Sequence, residues 1–587
     1  MKYRMLAVTS AALLGSAALL AGCGGSSTAS AAATPAAKIQ HGGTAVIALS
    51  TQSSPNWFFP MLSASAFSDL NTQVDGMMYK PMIQFNAKDV VDYSRSLVSN
   101  ITPNKNGTEY TLTLSNKYKW SNGQPITAQD VVFTWDITKA ASEPNAVWVY
   151  GGAGIGGVPN IWKSVTAVGN NKVVVKLSQP TNSNWFVHNG LAQLWPVPKS
   201  VWDKYPTNMT KEMKFINSVA NSPMNKVYDV VDGAYHIQSA QANNQWVFVP
   251  NKNYSGHKSI LNKVIFQYET SDAAEFAALK NGTISLGYLP MANYGARNLL
   301  SNDVLSPTYL LGFNYIIINM NPKAPHGLGP VFNQLYVRQA LQMGIDQKTI
   351  VNGIFHGLAT YEGGPVASKP NTPYSDPAVA KPLYPYNPAA GKKLLEKHGW
   401  KDVGGVMTKN GVKLQFTFLA VSGDQAQNDL QQLLQADWKK EGIKVNIVRQ
   451  PFDNIISSAD QIGTNPTKWN MADWGGGWTY QPDYYPSGDG LFNTGAASNF
   501  QGYSNKTEDT LIQKSTQPAT PAQATKALYA YEKFTAQQLA VLFLPQPAEG
   551  YAGGGDINEH IANLHGTAKT FNPVTDQIFP NYWYYTK

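Results

Sequence analysis

Apolar runs rich in β-branched residues recur along the chain after its first 40 residues. The earliest, within residues 41–49, is bounded by two glycines and by polar residues, which predicts a buried strand. Residues 110–114 alternate apolar and polar positions, and residues 172–177 contain three consecutive valines. Both segments also predict strands, so sheet structure is expected from the start of the folded body.

Three later segments have helical spacing together with start and stop signals. They are a helix capped at Thr127 with Asp130 three residues on, a helix near Asp272 that stops at Asn281-Gly282, and a helix carrying Leu430, Leu433, Leu434 and Trp438 that ends at Gly442 before a strand over 443–448. Because helices and strands alternate, the pattern predicts an α/β fold. Self-similarity at a fixed period, the mark of a repeat protein, is not found.

The N-terminal residues 1–22 have the pattern of a secretory signal, with two basic residues, an uncharged apolar stretch and small residues before Cys23. The stretch is too rich in small residues to predict a membrane-spanning helix. Leu20-Ala21-Gly22-Cys23 resembles the lipobox of bacterial lipoproteins, which implies cleavage before Cys23 and lipidation of its thiol. The alternative is an incidental cysteine in an ordinary signal peptide. Residues 23–40 are then predicted to be a flexible anchor linker.

Charge is scarce in this chain. The 587 residues carry 45 Lys and Arg against 37 Asp and Glu, a net charge of +8, and charged residues make up only 14% of the total. The basic residues are scattered, which argues against nucleic-acid binding. Cys23 is the only cysteine, so the fold must be stable without an internal disulfide. Few charges also suit acidic surroundings, in which carboxylates are partly protonated.

Sequence motifs for catalysis are largely missing. The chain has no HExxH, GxSxG or GxxxxGK[ST] motif, and the GxGxxG match at 152–157 runs into a proline where a helix should begin, so we interpret it as a flexible loop. His560 and His565 have no clustered carboxylate or cysteine, so neither a metal nor a cofactor is predicted. The chain is therefore predicted not to be an enzyme. An exported hydrolase that uses an Asp/Glu pair is kept as the alternative, because spacing cannot exclude one.

Aromatic residues are concentrated in the glycine-rich segment 469–485, which includes Trp474 and Trp478. Flat amphipathic rings offer contact area at small entropic cost, and glycines let the backbone approach a ligand closely. This composition is typical of a binding surface. A buried aromatic cluster under a long loop explains it equally well.

Several blocks in a shared order resemble the bacterial extracellular solute-binding proteins of the oligopeptide/dipeptide/nickel-binding type, the capture subunits of ABC importers. The most specific is Tyr110 to Phe133, and any one block alone would be weak. The blocks are residues 42–49, 110–133, 253–254, 337–346, 386–395 and 438–445.

The resemblance implies an α/β, two-lobe periplasmic-binding-protein-like fold (type II) with an extra sub-domain in the first lobe. The implied ranges are 41–80, 195–310 and 548–587 for the first lobe, 81–194 for its inserted sub-domain, and 311–547 for the second lobe. A ligand is expected between lobes that close over it. Closure requires contacts that exist only when both lobes touch the ligand.

The same resemblance implies a monomer, lipid-anchored at the extracytoplasmic face of the cell membrane, that captures peptides and delivers them to ABC permease and ATPase subunits. Extended peptides suit such a cleft, because backbone groups can be bound independently of the side chains. A nickel chelate or an oligosaccharide is the alternative solute.

In the family's peptide binders a Gly-Trp-x-x-Asp-Tyr motif contacts the ligand, and its Asp anchors the α-amino group. Here Gln481 stands at that position and Asp483 follows two residues later. Either Asp483 replaces the anchor or the ligand lacks a free amine. Trp57 and Phe58, after the first strand, are further candidates, although core packing explains them equally well. The predicted ligand-binding residues are Trp478, Thr479, Tyr480, Gln481, Asp483, Trp474, Trp57 and Phe58.

Overall fold

A computed structural model of the protein describes residues 38–301, 303–459, 466–548, 557–559 and 564–587. The predicted signal peptide, Cys23 and most of the predicted linker lie outside the described residues, as does His560. No helix of the described ranges is both long and apolar enough to cross a bilayer.

Strands and helices are interspersed along the described residues. The strands are β1 (Ile39–Gln40), β2 (Thr44–Ala48), β3 (Val98–Pro103), β4 (Glu109–Leu114), β5 (Trp162–Val168), β6 (Lys172–Leu177), β7 (Tyr235–Gln241), β8 (Gln245–Pro250), β9 (Lys263–Gln267), β10 (Val304–Ser306), β11 (Gly312–Ile318), β12 (Ala359–Thr360), β13 (Lys401–Val403), β14 (Val406–Lys409), β15 (Val412–Lys413), β16 (Gln415–Val421), β17 (Lys444–Gln450), β18 (Met471–Asp473), β19 (Trp478–Thr479), β20 (Leu542–Leu544), β21 (Gln546–Pro547), β22 (Ile557–Glu559), β23 (Leu564–His565) and β24 (Tyr584–Thr586). The α-helices are α1 (Asp69–Met78), α2 (Ala128–Ala141), α3 (Ser183–Trp185), α4 (Lys199–Trp202), α5 (Met209–Val219), α6 (Asp272–Asn281), α7 (Gly329–Phe332), α8 (Leu335–Met343), α9 (Gln347–Thr349), α10 (Pro388–Lys397), α11 (Gln425–Lys440), α12 (Phe452–Ala459), α13 (Lys506–Thr516), α14 (Pro521–Gln538) and α15 (Thr567–Thr570).

The sheet predicted to form the first lobe has the strand order β2-β9-β8-β7. The predicted first strand is confirmed as β2, which pairs in parallel with β9, and the remaining pairs are antiparallel. Ala45 and Ile47 of β2 are completely buried. All four strands lie in the ranges predicted for the first lobe.

A second sheet, β3-β4-β6-β5, is antiparallel throughout. The predicted alternation in β4 is confirmed, since Tyr110 and Leu112 are fully buried between half-buried threonines. Helix α2 begins with the predicted capping box, in which Thr127 and Asp130 bond each other's backbone N–H groups. This sheet lies inside 81–194, the range predicted for the inserted sub-domain.

The sheet in the range predicted for the second lobe has the strand order β17-β16-β18-β11-β19, and β20 also pairs with β11. The pairs β16–β17 and β16–β18 are parallel, whereas β11 is antiparallel to its partners. Every residue of β11 is buried, so this strand forms the centre of the lobe. The helix predicted from the leucine spacing is α11, capped by the Asp424 side chain. All these strands lie within 311–547.

Three predicted segments differ in detail from the structure. Helix α6 is capped by Ser271 and not by Asp272, because the Ser271 hydroxyl accepts from the backbone of Ala274. Residues 39–40 of the predicted linker form β1, which pairs with β24 of the first lobe. The 152–157 segment is a packed turn, since the Gly156 backbone N–H donates to Asp489 at 2.9 Å.

Candidate functional site

A cavity of about 1180 Å³, partly open to solvent, is lined by residues from the ranges predicted for both lobes. The first lobe lines it with the turn after β2 and the beginning of α1. The second lobe contributes the end of β16, the beginning of α11 and the segment 474–481. Because both lobes supply its walls, a solute in this cavity would contact both.

The segment 474–481 brings its backbone against the centre of the second lobe. Strand β19 pairs with the start of β11, so that Trp478 lies opposite Phe313 and Thr479 opposite Gly312. Gly477 just before the strand has φ of +68°. The Trp474 indole N–H donates to the Gly477 carbonyl at 2.6 Å, which closes the turn.

Aromatic rings form the apolar wall of the cavity. Trp478 of the second lobe packs against Phe67 of the first, with ring centroids 5.7 Å apart. Trp474 meets Phe500 edge to face at 6.1 Å. Both tryptophans line the cavity although they are only 7% exposed or less. Such rings provide large apolar contact area with little loss of rotamer freedom.

Hydrogen bonds from side-chain hydroxyls and from one backbone N–H join the lobes directly around the cavity. The Thr479 hydroxyl donates to Asp69 Oδ2 at 2.7 Å, and the Ser422 hydroxyl donates to Gln52 Oε1 at 2.8 Å. The backbone N–H of Gln425 donates to a carboxylate oxygen of the first lobe, Asp272 Oδ2, at 2.8 Å. The structure is therefore that of lobes in contact.

Two carboxylates line the cavity, Asp69 at the beginning of α1 and Asp424 at the beginning of α11. Burial raises the pKa of Asp69 to about 6, opposed by the hydrogen bond from Thr479. Burial also raises the pKa of Asp424. Close to Asp424, burial and the charge of Asp424 together raise the pKa of Asp272 to about 7. The site is thus acidic, with carboxylates that burial destabilises in their charged form.

Half of the predicted ligand-binding residues line the cavity. They are Trp474, Trp478, Thr479 and Gln481. The Gln481 Nε2 group donates to the Thr575 carbonyl at 2.5 Å. Tyr480 is fully buried instead, and its hydroxyl donates to the Pro365 carbonyl at 2.6 Å.

Asp483, Trp57 and Phe58 lie outside the cavity lining. Asp483 is completely buried, and burial together with the charge of Asp489 raises its pKa well above the ordinary range. Because Asp483 does not line the cavity, its predicted amine-anchoring role stays a prediction.

The two aromatic candidates after β2 belong to the core of the first lobe. The Trp57 indole donates to the Met61 carbonyl at 3.1 Å, and its ring meets Trp148 edge to face at 5.3 Å. Phe58 packs edge to face on Tyr228 at 6.5 Å. These contacts correspond to the core-packing alternative.

Sequence reasoning missed Asp69, Asp424 and Gln427. A signal existed for Asp424, which stands directly before the predicted leucine-bearing helix in the position of an N-cap. Asp69 follows Ser68, whose hydroxyl caps α1. Nothing local marks either side chain as facing a cavity, because that depends on how the lobes pack.

Metal ligation has no support in the described part of the chain, where no group of three His, Cys, Asp or Glu side chains is arranged to hold an ion.

Comparison with known proteins identifies the family. The sequence model of the bacterial extracellular solute-binding proteins, family 5 middle, matches residues 92–498. The oligopeptide-binding protein AppA of Bacillus subtilis is 25% identical over 582 residues, which cover 97% of this chain and 96% of that protein. The nickel-binding periplasmic protein of Escherichia coli is 24% identical over 65% of this chain and 67% of its own length.

The solved structure of Bacillus subtilis AppA in complex with a nonapeptide superimposes with a TM-score of 0.78. It is 21% identical and covers 94% of this chain and 100% of that chain. This likeness confirms the predicted two-lobe α/β fold. The family consists of binding proteins, so the prediction that the chain is not an enzyme is confirmed as well. The chain belongs to the bacterial extracellular solute-binding proteins of family 5.

Proposed function

We propose that this protein is the lipid-anchored substrate-binding protein of an ABC importer, which captures oligopeptides between its lobes and delivers them to a membrane permease. The observation that carries the proposal is the cavity of about 1180 Å³ whose walls come from both lobes. The names of the relatives, among them an oligopeptide-binding protein aligned over nearly the whole chain, support peptides as the solute. The attachment at Cys23 rests on the lipobox resemblance.

The composition of the cavity suits a peptide. Glycines 475–477 bring backbone close to the solute, and Trp474 and Trp478 offer flat apolar contact. An extended peptide presents alternating N–H and C=O groups, which backbone and hydroxyl groups can bind regardless of side-chain identity. We propose Trp474, Trp478, Thr479 and Gln481 as ligand contacts.

Peptide capture is tested with the full-length protein purified in detergent. We expect mass spectrometry to find peptides retained through purification, and added oligopeptides to bind and to be recovered intact. Small-angle scattering should show a smaller radius of gyration once peptide is bound, because the lobes close over it. Failure to bind any oligopeptide, or binding of a nickel complex in its place, would refute peptide capture. Hydrolysis of the peptide would contradict a pure binding role.

Two tryptophan variants test which aromatic residues contact the peptide. We expect Trp478→Ala to lower peptide affinity roughly tenfold or more, because the ring forms a cavity wall. Trp57→Ala should instead lower the free energy of unfolding by about 3–5 kcal/mol through lost core packing. Calorimetric titration and thermal denaturation of both variants separate the two effects. Unchanged affinity of folded Trp478→Ala would remove this residue from the binding site.

A further inference from the structure

The lining of the cavity carries negative charge without a positive partner. Asp69 of the first lobe and Asp424 of the second line it, and the lining drawn from the described residues includes no lysine, arginine or histidine. The protein groups that donate to these carboxylates are neutral. They are the Thr479 hydroxyl for Asp69 and the backbone N–H groups of Ala426 and Gln427 for Asp424. No cationic protein group of the lining therefore stabilises the ionised form of these carboxyls, whereas a cationic ligand would.

A buried amide oxygen at the same place points independently to a ligand that donates hydrogen bonds. Gln427 lines the cavity and is only 5% exposed. Its Nε2 group donates to the Gly475 carbonyl at 3.0 Å, which fixes the orientation of the amide. Its Oε1 atom has no hydrogen-bond partner among the described residues. A buried acceptor without a donor is costly, so this side chain favours a donor in the cavity.

The surroundings of the two carboxylates are acidic as well. Burial raises the pKa of Asp69 to about 6 and raises that of Asp424. The charged groups coupled to Asp424 are Asp272 on the first lobe, Asp473 on β18 and Asp429 on its own helix. All are carboxyl groups, so a positive charge placed among them favours their ionised forms and is attracted by each one that is ionised.

We propose that the cavity selects positively charged peptides, with cationic groups of the ligand bound by Asp69 and Asp424, and that it excludes a ligand carboxylate. This inference rests on the proposed function, because it names the class of peptide. An ammonium group offers three donors and no acceptor, which complements two carboxylates and the Gln427 Oε1 atom. A peptide must then keep its terminal carboxylate outside the cavity, which makes a free dipeptide a poor ligand.

The position of the carboxylates also links ligand charge to closure. Asp69 and Asp424 are contributed by opposite lobes. A cationic ligand between them gains its full attraction only when the lobes come together, so charge adds to the differential affinity that drives closure.

The ligand side is tested with unmodified protein and four alanine-rich pentapeptides. Three have a free amino terminus and carry lysine, glutamine or glutamate at the second position, and the fourth is the N-acetylated lysine peptide. In calorimetric titrations we expect the lysine peptide to bind at least about tenfold tighter than the glutamate peptide. Acetylation should weaken binding of the lysine peptide by roughly tenfold, since charge-assisted hydrogen bonds are about twice as strong as neutral ones.

The protein side is tested with Asp69→Asn and Asp424→Asn. Asparagine keeps an oxygen for Thr479 and remains a good helix cap, so both variants retain the local hydrogen bonds. Each of these two variants should bind the lysine peptide with a smaller advantage over the glutamate peptide than the unmodified protein does. The matched controls are Asp509→Asn and Asp346→Asn. Asp509 lies in the first turn of α13 and accepts from the Thr494 hydroxyl at 2.8 Å, and Asp346 caps α9.

The controls lie outside the cavity and should keep the full preference of the unmodified protein. Equal affinity of the unmodified protein for all four peptides would overturn the charge inference while leaving peptide capture intact. An undiminished preference in both cavity variants would likewise overturn it. Binding of none of the peptides would refute the proposed function and the inference together. The peptide titrations use only unmodified protein, so they test the preference for positive charge even if a substitution prevents folding.

Discussion

Gly477→Ala is expected to destroy the cavity wall of the second lobe and to abolish peptide binding. Gly477 has φ of +68°, which costs a residue with a side chain about 1–2 kcal/mol. A Cβ at this position would also overlap the Phe313 carbonyl oxygen and the Asn314 Cα. Both atoms belong to the backbone of β11, the buried centre of the sheet, so they cannot move aside without breaking strand pairing.

The expected loss of unfolding free energy is about 3 kcal/mol or more, because backbone strain and a backbone overlap act together. Thermal denaturation and calorimetric titration of the variant check it. Gly357→Ala is the first control, since φ is +85° there but nothing lies within 4 Å of the added Cβ. Gly295→Ala has neither problem and should leave stability unchanged. If Gly477→Ala lost no more unfolding free energy than Gly357→Ala, the added Cβ would not overlap the backbone of β11 as expected.

Stability is expected to fall as the pH rises from about 5 to about 8, because many buried carboxyls are held in their neutral form. Burial raises the pKa of Asp473 and of Glu508 to about 7, and that of Glu441 to about 9. Burial also raises the pKa of Glu275 and Glu362 well above the ordinary range. In the unfolded chain these groups titrate near pH 4.

The sign follows from proton binding. Between about pH 4 and the raised values the folded state binds more protons than the unfolded state, so the stabilisation is complete below pH 4 and is lost with rising pH. A tenfold difference in proton affinity between the two states corresponds to about 1.4 kcal/mol, so several such carboxyls together contribute several kcal/mol. Denaturant unfolding at a series of pH values measures this contribution. A stability maximum above neutral pH would contradict it.

Glu441→Gln isolates one contribution to this pH dependence. Glu441 is fully buried, and burial with nearby Asp437 raises its pKa. Glutamine cannot ionise, so the free energy of unfolding of this variant should decline less steeply between about pH 5 and about pH 8. Glu143→Gln, at an exposed position, is the control and should leave the slope unchanged. If the free energy of unfolding depended on pH equally in both variants, Glu441 would be excluded as a contributor to the pH dependence.

Elements fixed by a few neighbouring residues were predictable. The capping box of Thr127 and Asp130 and the left-handed Gly282 at the end of α6 are set by local backbone hydrogen bonds, which spacing reveals. Strand β2 was predictable from its short apolar run alone, although its partner β9 lies far along the chain. The exact cap of α6 was not, because Ser271 and Asp272 are both good capping residues.

Within the candidate site, local reasoning located the segment but could not separate its members. Trp478 and Tyr480 both belong to the predicted motif, yet only Trp478 lines the cavity. Tyr480 is directed into the core by its bond to Pro365, a residue distant in the sequence. The carboxylates Asp69 and Asp424 come from opposite halves of the chain, and no spacing rule relates them. Their common position is a product of lobe packing.

The pairing of β1 with β24 ties the two ends of the described fold together, with Gln40 opposite Tyr585. The Tyr585 hydroxyl also donates to the Thr44 carbonyl of β2 at 2.7 Å. Fluorophores placed at both ends would therefore keep a constant separation during domain motion. An optical reporter of that motion needs one dye at an end and the other at the exposed hairpin turn of Gly404 and Gly405, which belongs to the second lobe.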